Sequence, residues 1–514
     1  MANVNISKVY LLDVPLENNY KNTLYFANAS AQQSYFQSKI ITSYSYTDFS
    51  YQRKDQIIRV PAHYDNIYKC NYVMYQNSAY NNKWFYAFVT DLEYINDGRT
   101  DLHIETDVLQ TWLFDYTVKS SFVEREHVSN DSVGIHTVPE NVELGEYISN
   151  GFVRDNELGD FVYVVQVTEW VSGDKPLATN FGGVYAPGGA YICTTPSQVV
   201  NIIQALDNAG KGEAVTNVYT VPAKVVNNTS GALQYSGQNS PVTYDVEIDK
   251  QTTLNGYTPR NKKLLTYPYN YLVLDNNNGS SNILQYENFS TANCVFEVAG
   301  VPTVGGSIKC VPKDYKGETR FQQEGLMAGK FPTCGWVNDV YTNWLTQNAV
   351  NIGVGIATSA VEIVGGVGLM ATGAGGIAGA GAIASGATGI ANSVGQIYQH
   401  SLMPNSSKGN INGGDINTCY NMNKFYFIKM SIKSEYAQII DKYFDMYGYK
   451  VNMVKVPNKN HRSNYWYTKT INVNIVGDIP QKDMQKIKNC YDNGITFWKN
   501  ASNIEDYSVS NNIV

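Results

Sequence analysis

Charge is what this chain has little of. Lys, Arg, Asp and Glu make up 16% of its 514 residues, against about 25% in an ordinary soluble domain. The net charge of −7 argues against a general DNA-coating role. The charge is also uneven. Residues 421–500 hold 13 Lys and Arg and 6 Asp and Glu, so that stretch carries +7 and the rest −14. A solvated basic face accounts for it, and no nucleic-acid recognition motif stands behind it.

Cysteine is sparse, odd in number and scattered: Cys70, Cys193, Cys294, Cys310, Cys334, Cys419 and Cys490. Without a CxxC this is neither a disulfide framework nor a zinc site, and it fits folding in a reducing compartment. Met1 to Asp13 lacks the basic and apolar stretches of a secretory signal. The six histidines show no ligand spacing, and Walker A, G-x-S-x-G and H-E-x-x-H are missing. G-x-G-x-x-A occurs three times, from Gly366, Gly373 and Gly379, but in one low-complexity stretch whose next acid is Asp415. A dinucleotide fold needs a preceding strand and an acid about 20 residues on. No cofactor, metal or catalytic residue is therefore expected. Glu124-Arg125-Glu126-His127 looks chemical, but alternating polar residues at a strand edge more often make a salt-bridged surface. Paired carboxylates need geometry to judge, which leaves a wall-degrading activity open.

Tyrosine is abundant, at 40 residues. Its ring packs on half-buried strands while its hydroxyl stays hydrogen-bonded, which points to a β-rich structural or assembly protein. At this length two to four domains are expected. Strands are predicted over 8–14, 72–76, 83–95, 161–167, 294–298, 307–311, 424–432 and 465–476. A helix is predicted over 31–39 behind Ser30. Asn96-Asp97-Gly98-Arg99 marks a hairpin turn. A second hairpin joins 264–274 to 283–289 through Asp275 to Gly279. Thr195-Pro196-Ser197-Gln198 opens a helix to about Asp207, with Thr195 and Gln198 placed for a capping box. Ser434 to Tyr447 reads as a helix with Tyr436, Ile439, Ile440, Tyr443, Phe444 and Tyr447 on one face and Gly448 just past its end. Asp478 is expected to cap a last helix ending near Gly494.

One segment stands apart. Between Asp339 and Lys408 the only charged side chain is Glu362, and residues 353–395 hold 13 Gly and 10 Ala in 43 positions. That length allows two passes of about 20 residues through a bilayer. Gly costs a soluble helix about 1 kcal/mol relative to Ala, and flexible linkers are more polar than this. Three readings stay open: a membrane segment stored until release, a permanent anchor whose small residues such as Gly375 and Gly379 let helices approach, and a buried structural loop. The residues singled out for membrane activity are Ile352, Val354, Ile356, Val361, Glu362, Ile363, Val364, Val367, Leu369, Met370, Gly375, Ile377, Gly379, Ile383 and Ile390. Glu362 either gains a proton in hydrocarbon, so that mild acid favours insertion, or stays at a wet loop edge.

Several stretches resemble the distal tube, or tail knob, proteins of small short-tailed phages (podoviruses) of Gram-positive bacteria. They are Asp13–Thr23 (DVPLENNYKNT), Tyr72–Asn77 (YVMYQN), Asn82–Thr90 (NKWFYAFVT), His103–Asp115 (HIETDVLQTWLFD), Ser121–His127 (SFVEREH), Met446–Lys450 (MYGYK) and Asp492–Trp498 (DNGITFW). The likeness spans roughly 1–130 and 260–514, and residues 150–260 match poorly. It implies a mixed, mainly β fold with an α/β C-terminal unit, β-barrel-like tube-forming domains and a long apolar Gly/Ala-rich loop. The expected division is an N-terminal tube domain over 1–135, a middle β-rich domain over 136–330, the apolar loop over 331–414 and a C-terminal tube domain over 415–514. The implied function is a non-enzymatic, hexameric virion tail-tip subunit. It would pass DNA through its lumen without sequence-specific binding, contact other tail proteins, plug the tube with its apolar loops, and then insert those loops into the host cytoplasmic membrane as a pore. The competing expectation is a receptor-binding or cell-wall-processing tail component without membrane activity.

Overall fold

The structure, a computed structural model of the chain, describes residues 6–328 apart from 46, 53–54, 78–79, 156, 158–160, 170–177, 182–183, 212–213, 226–241, 277–278 and 301–307, together with 333–334 and 424–514. It is a mixed, mainly β protein that divides into two compact units. The first comprises Met1–Gly145, Tyr257–Leu264 and Ser434–Val514, and the second Glu146–Gly256 and Leu265–Lys433.

In the first unit a seven-stranded antiparallel sheet runs in the order Ile40–Ser45, Ile6–Leu12, Tyr72–Asn77, Lys83–Asn96, Arg99–Thr106, Ile57–Val60, Ser50–Gln52. Its longest hairpin turns at Asp97-Gly98, with Asn96 opposite Arg99, as the turn residues predict. Aromatic side chains fill one side: Phe36 stacks on Tyr72 at 5.3 Å and 7° and meets Tyr86 at 4.6 Å. Burying such a side chain is worth about 1.5–3 kcal/mol. Phe36 comes from the helix Ala29–Gln37, whose cap is Asn28 and not Ser30. The Asn28 side chain accepts from the Ala31 N–H at 2.8 Å.

The unit's second sheet runs Asn22–Leu24, Ile495–Trp498, Tyr465–Ile471, Ser121–Glu126, Tyr449–Lys455. It is antiparallel except for the pairing of 22–24 with 495–498, which joins strands from opposite ends of the chain. The strand expected over 465–476 breaks after Ile471. Asp492 takes the Thr470 hydroxyl at 2.7 Å and the Val473 N–H at 3.1 Å, Asn472 turns at φ 54°, and pairing resumes at Ile475–Gly477.

The helix Ser434–Tyr447 has its expected bounds, but its buried face is Ala437, Ile440, Asp441 and Phe444, while Ile439 is 64% exposed. Gly448 lies past its end at φ 63°. The last helix is Gln481–Asn493; its cap position is Pro480 with no side-chain cap bond, so Asp478 does not cap it.

In the second unit the strands Tyr147–Arg154, Tyr426–Ile432, Asn270–Asp275 and Ser281–Leu284 form one antiparallel sheet in that order. A further sheet runs Val242–Asp249, Asn293–Gly300, Ile308–Tyr315, Glu318–Arg320. The two share a core that includes Leu272, Phe296, Cys310 and Phe427. A third sheet contains Phe161–Val167 between Val184–Cys193 and Val215–Pro222. The helix Pro196–Asn208 has the expected reciprocal Thr195–Gln198 capping box.

Candidate functional site

The densest polar construction in the first unit is a buried seam joining three stretches of chain that are far apart in sequence. Its first strand carries Glu124-Arg125-Glu126-His127. This strand is internal, flanked by Tyr465–Ile471 and Tyr449–Lys455, so the expected strand-edge surface is corrected. Glu124 does pair with Lys469 at 2.9 Å, but Arg125, Glu126 and His127 are buried. The register slips between Val123 and Arg125, which lets consecutive polar side chains turn inward.

Arg125 donates to the Gly448 carbonyl at 2.6 Å and to the Glu140 carboxylate, and lies over the Tyr443 ring at 4.8 Å. The Glu140 side chain is fully enclosed. It also accepts from Lys263 Nζ at 2.5 Å and from the Lys450 N–H at 2.8 Å. Burial pushes the Lys263 ammonium below the usual lysine range, and the Glu140 charge opposes that shift. Glu126 accepts from Lys455 Nζ at 2.6 Å and from the Asn458 N–H at 2.8 Å. The Tyr467 N–H donates to His127 Nδ1 at 2.6 Å, which leaves Nε2 to donate to the Asp445 carbonyl at 3.0 Å. Burial first, then the Arg462 charge, pushes this imidazole down to about 3, so it is neutral at physiological pH.

The segment Tyr257–Leu264 belongs to the first unit although the chain on either side belongs to the second. Asp441 holds it, accepting from the Tyr257 hydroxyl at 2.6 Å, the Arg260 N–H at 2.8 Å, and the Asn261 N–H and Nδ2 at 3.0 and 2.8 Å. Asp131 takes the Tyr449 hydroxyl at 2.6 Å. Asp131, Glu126, Glu140 and Asp441 each accept a backbone N–H, and no group of three or more His, Cys, Asp or Glu among the described residues could hold a metal. The seam fixes chain segments and offers no nucleophile–base pair. Sequence patterns do not single out Glu140, Asn261, Lys263 or Asp445. The one available signal is Asp441, an acid between Ile440 and Phe444 on the helix's apolar face.

The fifteen residues singled out for membrane activity, Ile352 through Ile390, lie outside the described residues. Among the described residues no helix is long and apolar enough to cross a membrane; this says nothing about a β-barrel.

Two family models match the chain. One is the C-terminal domain of Bacillus phage phi29 tail knob protein gp9, over residues 231–512. The other is the N-terminus of the caudoviral major tail protein, over residues 5–117. Tail knob protein gp9 of Bacillus phage B103 is 28% identical, covering 98% of this chain and 97% of its own. The phi29 protein of that name is 27% identical, covering 98% of each. The solved tail knob protein gp12 of bacteriophage C1 superposes with a TM-score of 0.64 over 99% of this chain and all of its own, at 16% identity, which shows a shared fold. The expectation of a pore-forming, membrane-inserting subunit is corrected. The whole-length likeness is to tail knob proteins, and no described helix suits a bilayer.

Proposed function

The chain belongs to the phage tail knob protein gp9 family, and from that premise we propose that it is a non-enzymatic structural subunit of a virion tail tip. Copies associate with one another and with other tail proteins, six copies making the barrel-like wall of a tube through which DNA passes without sequence-specific contacts. Residues 1–135 and 415–514 supply the wall and 136–330 a middle β-rich part. The observation that carries this reading is likeness along nearly the full length of both chains. The buried seam supports it, because a wall subunit must hold distant chain segments in fixed register. Mass photometry and negative-stain imaging of the purified protein test it. Hollow rings of about six copies are expected for a closed cyclic assembly. A strictly monomeric protein at micromolar concentration contradicts the assembly.

A further inference from the structure

An open cavity of about 630 Å³ lies in the first unit, walled by the loop after Val128, the segment Tyr257–Leu264, the C-terminal residues 508–513 and the end of the helix Ser434–Tyr447. Ser132, Ser508, Ser510 and Asn512 are exposed along it, so its rim can both donate and accept hydrogen bonds. Three cations line it, Arg260, Lys262 and Arg462, against two acids, Asp131 and Asp445. The acids are already engaged. Asp131 accepts from the Tyr449 hydroxyl at 2.6 Å and, through its other oxygen, from the Lys262 N–H at 3.1 Å. Asp445 accepts from Asn261 Nδ2 at 2.8 Å and from Arg260 Nη1 at 3.2 Å.

The cations keep unused capacity. Lys262 is exposed, and its ammonium has no partner among the described residues. Arg260 spends Nη1 on Asp445, and its side chain is 58% exposed. Arg462 is buried, yet its guanidinium donates to neutral carbonyls, Val128 O at 2.8 Å and Asn511 O at 3.2 Å. It makes no ion pair among the described residues, whereas buried charges are ordinarily paired. Burial pushes this guanidinium below the usual arginine range, and the Asp131 charge opposes the shift. A buried charge of this kind attracts an anion through low-dielectric protein without touching it, while Arg260 and Lys262 are placed to bond one directly. The volume suits a small organic molecule and exceeds what a bare phosphate fills. Hydroxyl groups on the ligand would use the serine and asparagine rim. Duplex DNA presents its phosphates on a convex rod, which suits an extended basic surface and not a pocket of this size.

We propose that this cavity binds a sugar or polyol phosphate, with the phosphate between Arg260 and Lys262 and the hydroxyls on the serine and asparagine rim. All of the lining belongs to the first unit of one copy. The site therefore goes beyond the tail-subunit reading and stands whether or not copies associate.

Isothermal titration of the full chain with glycerol 3-phosphate tests this, with glycerol, inorganic phosphate and a short DNA duplex as comparison ligands. Saturable binding at one site per chain is expected, tighter than that of glycerol or inorganic phosphate. Lys262→Glu and Arg260→Gln should each weaken it by about tenfold or more, and Lys262→Arg should keep it within about threefold. Lys21→Glu reverses an exposed charge of the same unit outside the cavity lining and should leave binding unchanged. Melting temperatures check the fold; should loss of the Asp445 bond destabilise Arg260→Gln, Lys262→Glu still decides, because its side chain holds nothing described. No saturable binding by wild type below about 10 mM, or equal affinities in wild type and Lys262→Glu, overturns the proposal. So does an equal loss in Lys21→Glu, or tighter Lys262-dependent binding of inorganic phosphate or duplex DNA.

Discussion

The Glu140 carboxylate lies between the enclosed Arg125 guanidinium and the Lys263 ammonium. Replacing it with glutamine sets two buried cations against each other, and breaking such a pair costs about 3–5 kcal/mol. Glu140→Gln is therefore expected to lower the unfolding free energy by that much in denaturant titrations, and a loss under about 1 kcal/mol would show that the seam is not closed to water. His127 gives the seam a pH dependence. Its folded-state pKa of about 3 lies below the ordinary value of 6.5, so the neutral ring's contribution is complete above pH 6.5 and is lost as pH falls toward 3. Asp107 acts the other way. Burial raises it to about 6 from 3.8, so its cost to stability grows as pH rises through that range. Thermal melts of His127→Gln should therefore lose the acid-side fall in stability between pH 6.5 and 4 while keeping the Asp107 trend. An unchanged profile would mean that His127 is solvated. None of these partners is legible locally. Arg125 meets Gly448 across 323 positions, a pairing that spacing and periodicity do not encode.

At the scale of elements, legibility follows how local the cause is. The helix Ser434–Tyr447, the strand Phe161–Val167, the Thr195 cap and the Asn96–Arg99 turn are readable because a period or a short motif sets each one. The break after Ile471 is not, since Asp492 imposes it from the last helix. The cap at Asn28 escapes the sequence because Asn and Ser cap comparably well, and only geometry chooses between them. The buried Asp441 escapes it because an apolar-face count omits an acid whose donors arrive from Tyr257–Asn261. Gly448 reads as a helix terminator, and its place has a second cause. A Cβ there would collide with the Glu126 carbonyl, in addition to the positive φ. Gly448→Ala should therefore cost more than the roughly 1 kcal/mol that left-handed backbone alone costs an alanine. It should also separate the helix end from the strand Ser121–Glu126, visible as faster amide exchange at His127. A cost within about 0.5 kcal/mol of zero would mean that the strand yields freely.

For the whole molecule, the family is legible in the long aromatic strings of the sequence itself, because such strings lie in the two sheets of the first unit. Tyr72–Asn77 and Lys83–Asn96 are adjacent strands there, and Ile495–Trp498 pairs with Tyr465–Ile471. The expectation of membrane activity rests on composition and on what the resemblance implies, and low charge with many small residues does not by itself specify a solvent. The central claim is that this chain is a structural part of the virion tail knob. Immunogold labelling of intact phage particles with antibodies raised against the first unit tests that most directly. Gold confined to the distal tip of the tail is the expected result, and gold on the capsid, or none on intact particles that demonstrably contain the protein with its epitopes reachable, would contradict it.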